Sequence, residues 1–216
     1  VPTVYHSNGN RRRRRGRGRR ARVLRTLGIV AAVAAVAAAA VWLWPAGPRP
    51  LFQLPAACGE KWQLGTYPGH GEDDVDMFPM SGQSWGHPVL ASYGGTVVEA
   101  GINGELGGRT PQNPRGPRGS GGGYWVKIDH GGRWTTVYMH LLEPPMVKEG
   151  QRVEQGQQIG KVGSTGDSGA AHLHYEQRRG LQTVESYFDG AASGITHDDR
   201  EYTVLRTSNN CAARKL

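Results

Sequence analysis

Residues 134–176, WTTVYMHLLEPPMVKEGQRVEQGQQIGKVGSTGDSGAAHLHYE, decide the fold. Two short strand-like runs, Trp134 to His140 and His172 to Glu176, enclose a stretch of turn residues and alternating apolar residues with no helical period. A strand directs successive side chains to opposite faces. His172 and His174 therefore share one face, and Leu173 and Tyr175 the other. The same period groups His140 with Trp134, Thr136 and Tyr138. A single histidine in a strand is as readily a structural hydrogen-bonding residue, but the pair carries a stronger signal. Three imidazoles brought to one cleft suggest a metal site or a general-base site.

An oxygen ligand is sought upstream. Residues 69–78, GHGEDDVDMF, place His70 ahead of closely spaced carboxylates that run into an apolar segment. Two histidines and one carboxylate, with a fourth position left for water, form a common catalytic zinc set.

These residues resemble a family, the M23 peptidases, lysostaphin-like zinc endopeptidases that cut cell-wall peptidoglycan. The resemblance runs from about Gly65 to Glu176. It is carried by the His-then-Asp segment at 70–76, Tyr138-Met139-His140-Leu141, a glycine-hinged hairpin from Gly150 to Gly160, Gly163-Ser164-Thr165-Gly166, and His172-Leu173-His174-Tyr175-Glu176. Each element alone is weak, whereas five in the family's order are strong. The resemblance implies that His70, one aspartate and His174 bind a single zinc ion, with His140 and His172 beside it as catalytic groups. The family spacing of four residues after the histidine gives Asp74. Its preference for apolar neighbours around the aspartate gives Asp76, between Val75 and Met77, and Asp76 is favoured. The expected activity is hydrolysis of peptide bonds in peptidoglycan. A metal-free relative that binds peptidoglycan or activates another hydrolase is the alternative, and an activating protein partner is left open.

The rest of the domain reads as all-β, a small antiparallel β-sandwich. Pro88 to Ala91, Gly95 to Ala100, Tyr124 to His130 and Trp134 to His140 are short apolar or alternating runs separated by glycine turns, and Gly131-Gly132 joins the last two as a hairpin. Thr183 to Phe188 and Glu201 to Leu205 give further strands. Residues 103–123, NGELGGRTPQNPRGPRGSGGG, form a long Gly/Pro/Arg loop that lines the groove or moves freely. His130, His6, His87 and His197 receive structural roles. The pattern of residues 149–162 also matches half of a lipoyl or biotinyl carrier domain, but Lys148 and Lys161 lie beside the repeat and not at a hairpin tip.

Ahead of this domain the composition changes. Residues 1–25 contain 10 arginines and no acidic residue, a run that cannot build a core. Removing those charges from the formal +8 leaves −2 for the remainder, so the folded part has no excess of positive charge and nucleic acid is not an expected partner. Leu27 to Trp44 lack any charge and would span about 27 Å as a helix, close to the thickness of a bilayer core. The expected organisation is an Arg-rich cytoplasmic tail (1–26), one transmembrane signal anchor (27–44), a proline-rich linker (45–57), a peptidase-like domain (58–211) and a short tail (212–216). The arginines place the N-terminus in the cytoplasm and the C-terminal domain on the extracytoplasmic side of the cell membrane. There Cys58 and Cys211 are expected to form one disulfide.

Overall fold

The computed structural model describes residues 47–196 and 202–211. The Arg-rich tail, the membrane segment, the start of the linker and the C-terminal tail at 212–216 lie outside the described residues.

Thirteen strands and no helix form among the described residues: β1 (Lys61–Thr66), β2 (Val75–Pro79), β3 (Pro88–Leu90), β4 (Gly95–Asn103), β5 (Gly123–Asp129), β6 (Trp134–Leu141), β7 (Arg152–Val153), β8 (Gln158–Lys161), β9 (Leu173–Arg179), β10 (Gln182–Val184), β11 (Tyr187–Phe188), β12 (Ala191–Ala192) and β13 (Tyr202–Thr207). The large sheet has the order β13-β1-β2-β9-β6-β5-β4-β7, with β10 paired to β9; β3 and β8 form a separate pair, as do β11 and β12. The pairings are antiparallel. The all-β reading holds, with the second layer much smaller than the first.

Alternation explains the core. Val75 and Met77 of β2 face Tyr175 and Leu173 of β9 across the ladder, and all four are fully buried. They join Trp62 and Leu64 of β1, Val126 and Ile128 of β5, Tyr138 of β6, and Val89 and Ile159 of the small sheet in one cluster. A strand whose odd positions fill this core must turn its even positions to the other side. That other side is the cleft.

Three local readings are corrected. Residues 150–160 are not a hairpin: β7 pairs with β4 while β8 pairs with β3, so the segment crosses between sheets. Its glycine turn is instead held from outside, Gly150 N donating to Val97 O and Gly156 N to Ala91 O. Thr183 to Phe188 is split into β10 and β11, which belong to different sheets. The proline-rich stretch is docked on the domain rather than acting as a free spacer. Phe52, Leu54 and Ala56 are buried, Gln53 N donates to Ser92 O, and Trp134 Nε1 donates to Gly47 O. Apolar residues at every second position there have a core to enter, and burying each stabilises by about 1.5–3 kcal/mol for large side chains.

Cys58 and Cys211 form a disulfide across 153 residues of sequence, with Cα atoms 4.6 Å apart. It closes the domain at the point where chain entry and exit meet. Asn210 Nδ2 donates to Leu54 O and Ala91 O, and Ser208 Oγ donates to Ala56 O beside it.

Candidate metal centre and active site

The register of β2 on β9 sets Asp76 directly opposite His174. The neighbouring pairs on either side fill the core, so this pair faces the cleft. β9 is flanked on its other edge by β6, where Met139 pairs with His174. His172 precedes β9 and is held by an isolated bridge to Gly163. The period of two thus delivers His172 and His174 to one face, as their spacing predicts.

His140 reaches the same cleft by a different route. Tyr124 pairs with Leu141 and Val126 with Tyr138, so β6 carries one more residue than β5 between these pairs, a β-bulge. His140 has a φ of 62°, rare for a residue with a side chain. Tyr138 is fully buried, its hydroxyl accepting from Ser92 N, while Met139 and His140 both line the cleft. Simple alternation grouping His140 with Tyr138 and Thr136 is therefore wrong. The bulge is what turns the imidazole outward.

His70 is supplied by a turn. Its N–H donates to Tyr67 O, its Nδ1 lies 3.3 Å from Thr66 Oγ1, and its ring stacks on Tyr67. These contacts aim Nε2 at the end of β2. His70 Nε2 lies 3.1 Å from His174 Nδ1 and 3.3 Å from Asp76 Oδ1, and the last two are 3.1 Å apart. A tetrahedral ion with bonds of about 2.0–2.1 Å separates its ligands by about 3.3–3.4 Å, so this donor triangle fits zinc. Asp74 belongs to a looser set: one donor atom each from His70, Asp74 and His174 falls within 4.8 Å of the others. Asp74 sits in the turn before β2, with its N–H donating to Gly71 O, and its Oδ2 faces the opposite nitrogen of His174, Nε2, at 3.5 Å. One imidazole cannot present both nitrogens to one ion. The compact triangle with Asp76 is the better fit.

The cluster is buried, with exposures of 7 % for His70, 6 % for Asp76, 7 % for His140, 6 % for His172 and 8 % for His174. Burial favours a neutral Asp76, but His172, His174 and His70 around it hold its carboxyl well below the usual carboxylate range. Burial also opposes charge on His174, yet the carboxylates of Asp76 and Glu176 push it up to about 10. His140 moves the other way. Burial, followed by His172 and His174, pushes it down to about 3, so it is neutral near pH 7.

Backbone carbonyls fix the two outer imidazoles. His140 Nδ1 lies 2.8 Å from Thr165 O, which places its proton on Nδ1 and leaves Nε2 an acceptor. His172 Nδ1 lies 2.8 Å from Ala170 O, and its Nε2 lies 3.1 Å from Asp76 Oδ1. Each of its nitrogens therefore faces an oxygen, a backbone carbonyl on one side and the Asp76 carboxylate on the other. The rings of His140 and His172 are 5.0 Å apart, and Phe78 stacks on His172.

Glu176 is the residue whose role sequence reasoning missed. Its Oε1 lies 3.5 Å from His174 Nε2, while Oε2 accepts from Arg178 Nε and Thr183 Oγ1. Despite burial, His174 and Arg178 lower its carboxyl to about 2. The signal was present, since 172, 174 and 176 share one strand face. Among the other histidines, His87 contacts Glu60 Oε2, and His130 contacts Gly94 O and Thr136 Oγ1, both structural arrangements away from the cleft.

The cleft has a volume of about 640 Å³. Besides the cluster its walls include Gln63, Tyr67, Arg118, Met139 and Asp167. Residues 103–123 are thus a groove wall.

The sequence model of peptidase family M23 matches residues 78–186, which include His140, His172 and His174. The chain is 33 % identical over 126 residues to an uncharacterized metalloprotease of Haemophilus influenzae, covering 57 % of this chain and 23 % of that protein. It is 48 % identical over 54 residues to the peptidoglycan DD-endopeptidase ShyA of Vibrio cholerae, covering 25 % of this chain and 12 % of that one. The matches therefore span less than a quarter of either relative. Among solved structures, the deep-sea M23 metalloprotease pseudoalterin aligns with a TM-score of 0.50 at 15 % identity, over 74 % of this chain and 96 % of that one, a likeness of fold.

Proposed function

Because the chain belongs to peptidase family M23, we propose that its domain is a zinc-dependent endopeptidase that hydrolyses peptide bonds in cell-wall peptidoglycan. The observation that carries this reading is the triangle of His70 Nε2, Asp76 Oδ1 and His174 Nδ1 at 3.1–3.3 Å, flanked by two further imidazoles. A relative named for peptidoglycan endopeptidase activity supports the substrate class.

His70, Asp76 and His174 would hold the ion. Bound there, the ion would supply Lewis-acid chemistry toward the scissile carbonyl and the attacking water. His140, neutral and with Nε2 free to accept, takes the proton from that water. His172, whose Nε2 lies against Asp76 Oδ1 at the edge of the donor triangle, would turn a hydrogen bond from Nε2 to the carbonyl oxygen as negative charge develops on it. Thr165 O and Ala170 O each accept from an Nδ1–H and so fix both rings alike; what divides the tasks is Asp76 Oδ1, which faces Nε2 of His172. Glu176 and Asp74, beside His174 Nε2, hold that ring with Nδ1 toward the ion.

Three donor atoms packed this closely favour an ion-holding domain over a metal-free binding one. The carrier reading lacks its hairpin, since β7 and β8 lie in different sheets. The reading includes a single-pass anchor at 27–44 with the domain on the extracytoplasmic side, and the Cys58–Cys211 disulfide suits an oxidising compartment.

The test is digestion of purified peptidoglycan of known cross-link by the full chain, with mass analysis of the fragments. Peptide-bond cleavage that a chelator abolishes and zinc restores is the expected result. Intact sacculi with a fully zinc-loaded protein would overturn the proposal.

A further inference from the structure

Outside the histidine–aspartate cluster, the charged side chains lining the cleft are Arg118 and Asp167. Arg118 lies in the loop between β4 and β5, which carries three arginines, Arg109, Arg115 and Arg118, against one acidic residue, Glu105. This loop is built, not slack. Glu105 and Ser120 exchange backbone hydrogen bonds of 3.1 and 3.0 Å, Gly108 N donates to Pro117 O, and Gly119 N donates to Gly166 O. Arg109 Nη1 donates to Gly169 O at 2.6 Å and to Pro114 O at 2.9 Å, tying the loop to the segment that leads into His172. Arg118 therefore has a backbone-paired residue on each side.

Two glycines make room for it. A Cβ at Gly119 would meet Glu105 O at 1.9 Å, so the pairing beside Arg118 requires glycine there. A Cβ at Gly169 would lie 2.7 Å from Arg118 Nη2, so the guanidinium lies across a bare stretch of backbone. Its approach to Asp167 Oδ1 is 3.6 Å, longer than a hydrogen bond, and the two side chains are 59 % and 64 % exposed. Such a pair is weakly held, and the guanidinium keeps its donors for another acceptor.

We propose that Arg118 is a specificity-determining residue that binds a free carboxylate carried by the substrate peptide next to the scissile amide. The planar fork of a guanidinium matches a carboxylate in two parallel hydrogen bonds, and a peptide's own anionic groups are carboxylates. The protein then favours an anionic cross-link over a neutral one such as a bridge of glycines. This inference rests on the peptidase reading.

The experiment uses the zinc-loaded full chain and two synthetic cross-linked peptides that differ only in a carboxylate or a carboxamide on the residue beside the cleaved bond. The readout is the ratio of their kcat/KM values. In the native protein the carboxylate peptide is expected to be preferred by about tenfold or more, the scale of a charge-assisted hydrogen-bond pair. Arg118→Gln should bring the ratio to within about twofold of one, and Arg118→Lys, which keeps charge without the fork, to an intermediate value. A native ratio near one, or a native-like ratio in Arg118→Gln, overturns the assignment while leaving the peptidase reading in place. Hydrolysis of neither peptide would remove the peptidase reading and this inference with it.

Discussion

The two walls of the cleft are made by different physics. One is strand: Asp76, His174 and, through a bulge, His140 are placed by the β2–β9–β6 ladders, and their side chains are buried. The other is turn: residues 104–122 and 163–170 are held by backbone hydrogen bonds between loops and present the exposed Arg118. A ladder fixes positions through repeated pairing, and the core behind it penalises any slip. Such a wall can hold donor atoms to within a few tenths of an ångström. A loop wall is free to change its side chains without disturbing the core. In the proposed reading chemistry rests mainly on the first, with His70 added from a turn and the outer imidazoles held by Thr165 O and Ala170 O, and recognition rests on the second.

If that division is right, substitutions on the strand wall abolish the reaction, and those on the loop wall redirect it. The largest effect is expected from the donor triangle. His174→Ala leaves one histidine and one aspartate, too few for tight binding, so zinc and hydrolysis should vanish together. Asp76→Asn should do the same, whereas Asp74→Asn should retain stoichiometric zinc by elemental analysis. Zinc lost from the Asp74 variant and kept in the Asp76 variant would exchange the two aspartates. Next in size are the outer imidazoles. His140→Ala and His172→Ala should keep the metal and the fold and lose about 10²–10⁴-fold in rate, the range for a missing proton acceptor or oxyanion donor. Unchanged rates in both variants would break the proposed mechanism.

Sequence legibility follows the same division. The pairing of His172 with His174, and the core role of Leu173 and Tyr175, could be read because a strand's period is invariant. Between Asp74 and Asp76 the period was silent, since both are even-numbered. The register of β2 on β9 favours Asp76 by placing His174 opposite it, while Asp74 stays within 4.8 Å of the same two histidines. His140 stands out as a histidine on a strand-like run, but simple alternation assigns it the wrong face, because a bulge inserts one residue and no local composition announces it. The carbonyls of Thr165 and Ala170, which set the imidazole tautomers, belong to the backbone and leave no mark in residue identity. Composition leaves the loop at 103–123 as either a groove wall or a mobile segment; Arg118 and Gly121 line the cleft, and the glycines and prolines permit the close backbone pairing that holds them there. The docking of Phe52, Leu54 and Ala56 was missed for a like reason: prolines suggested a spacer and hid the alternation between them.

A smaller effect is expected one step behind the ligands. Glu176→Gln removes the charge that holds His174 Nε2–H and leaves Arg178 without its carboxylate. Zinc affinity, measured by competition with a chelator of known strength, should fall by about 10–100-fold, the usual range for a partner that orients a ligand. An affinity within twofold of the native value would mean that Asp74 alone orients the ring.

The smallest effect per step is a pH dependence, and it separates the walls without mutation. In protein stripped of metal the His174 imidazole is pushed up to about 10, against an ordinary 6.5, because Asp76 and Glu176 outweigh its burial. That contribution to stability is fully present below pH 6.5 and is lost as pH rises through about 10. Metal binding has the opposite sign. An ion held through Nδ1 must displace a proton, so apparent zinc affinity should rise by up to about tenfold per pH unit between about pH 7 and 9, provided one proton is released. Isothermal titration in buffers of different ionisation enthalpy would count that proton directly. The preference at Arg118 for a carboxylate peptide over the carboxamide should stay level while zinc affinity climbs, because guanidinium groups are permanent cations. A flat affinity would show that the triangle binds no proton and that His174 is held neutral, whereas a preference that drifts with pH would place a titrating group on the loop wall and dissolve the contrast between the two.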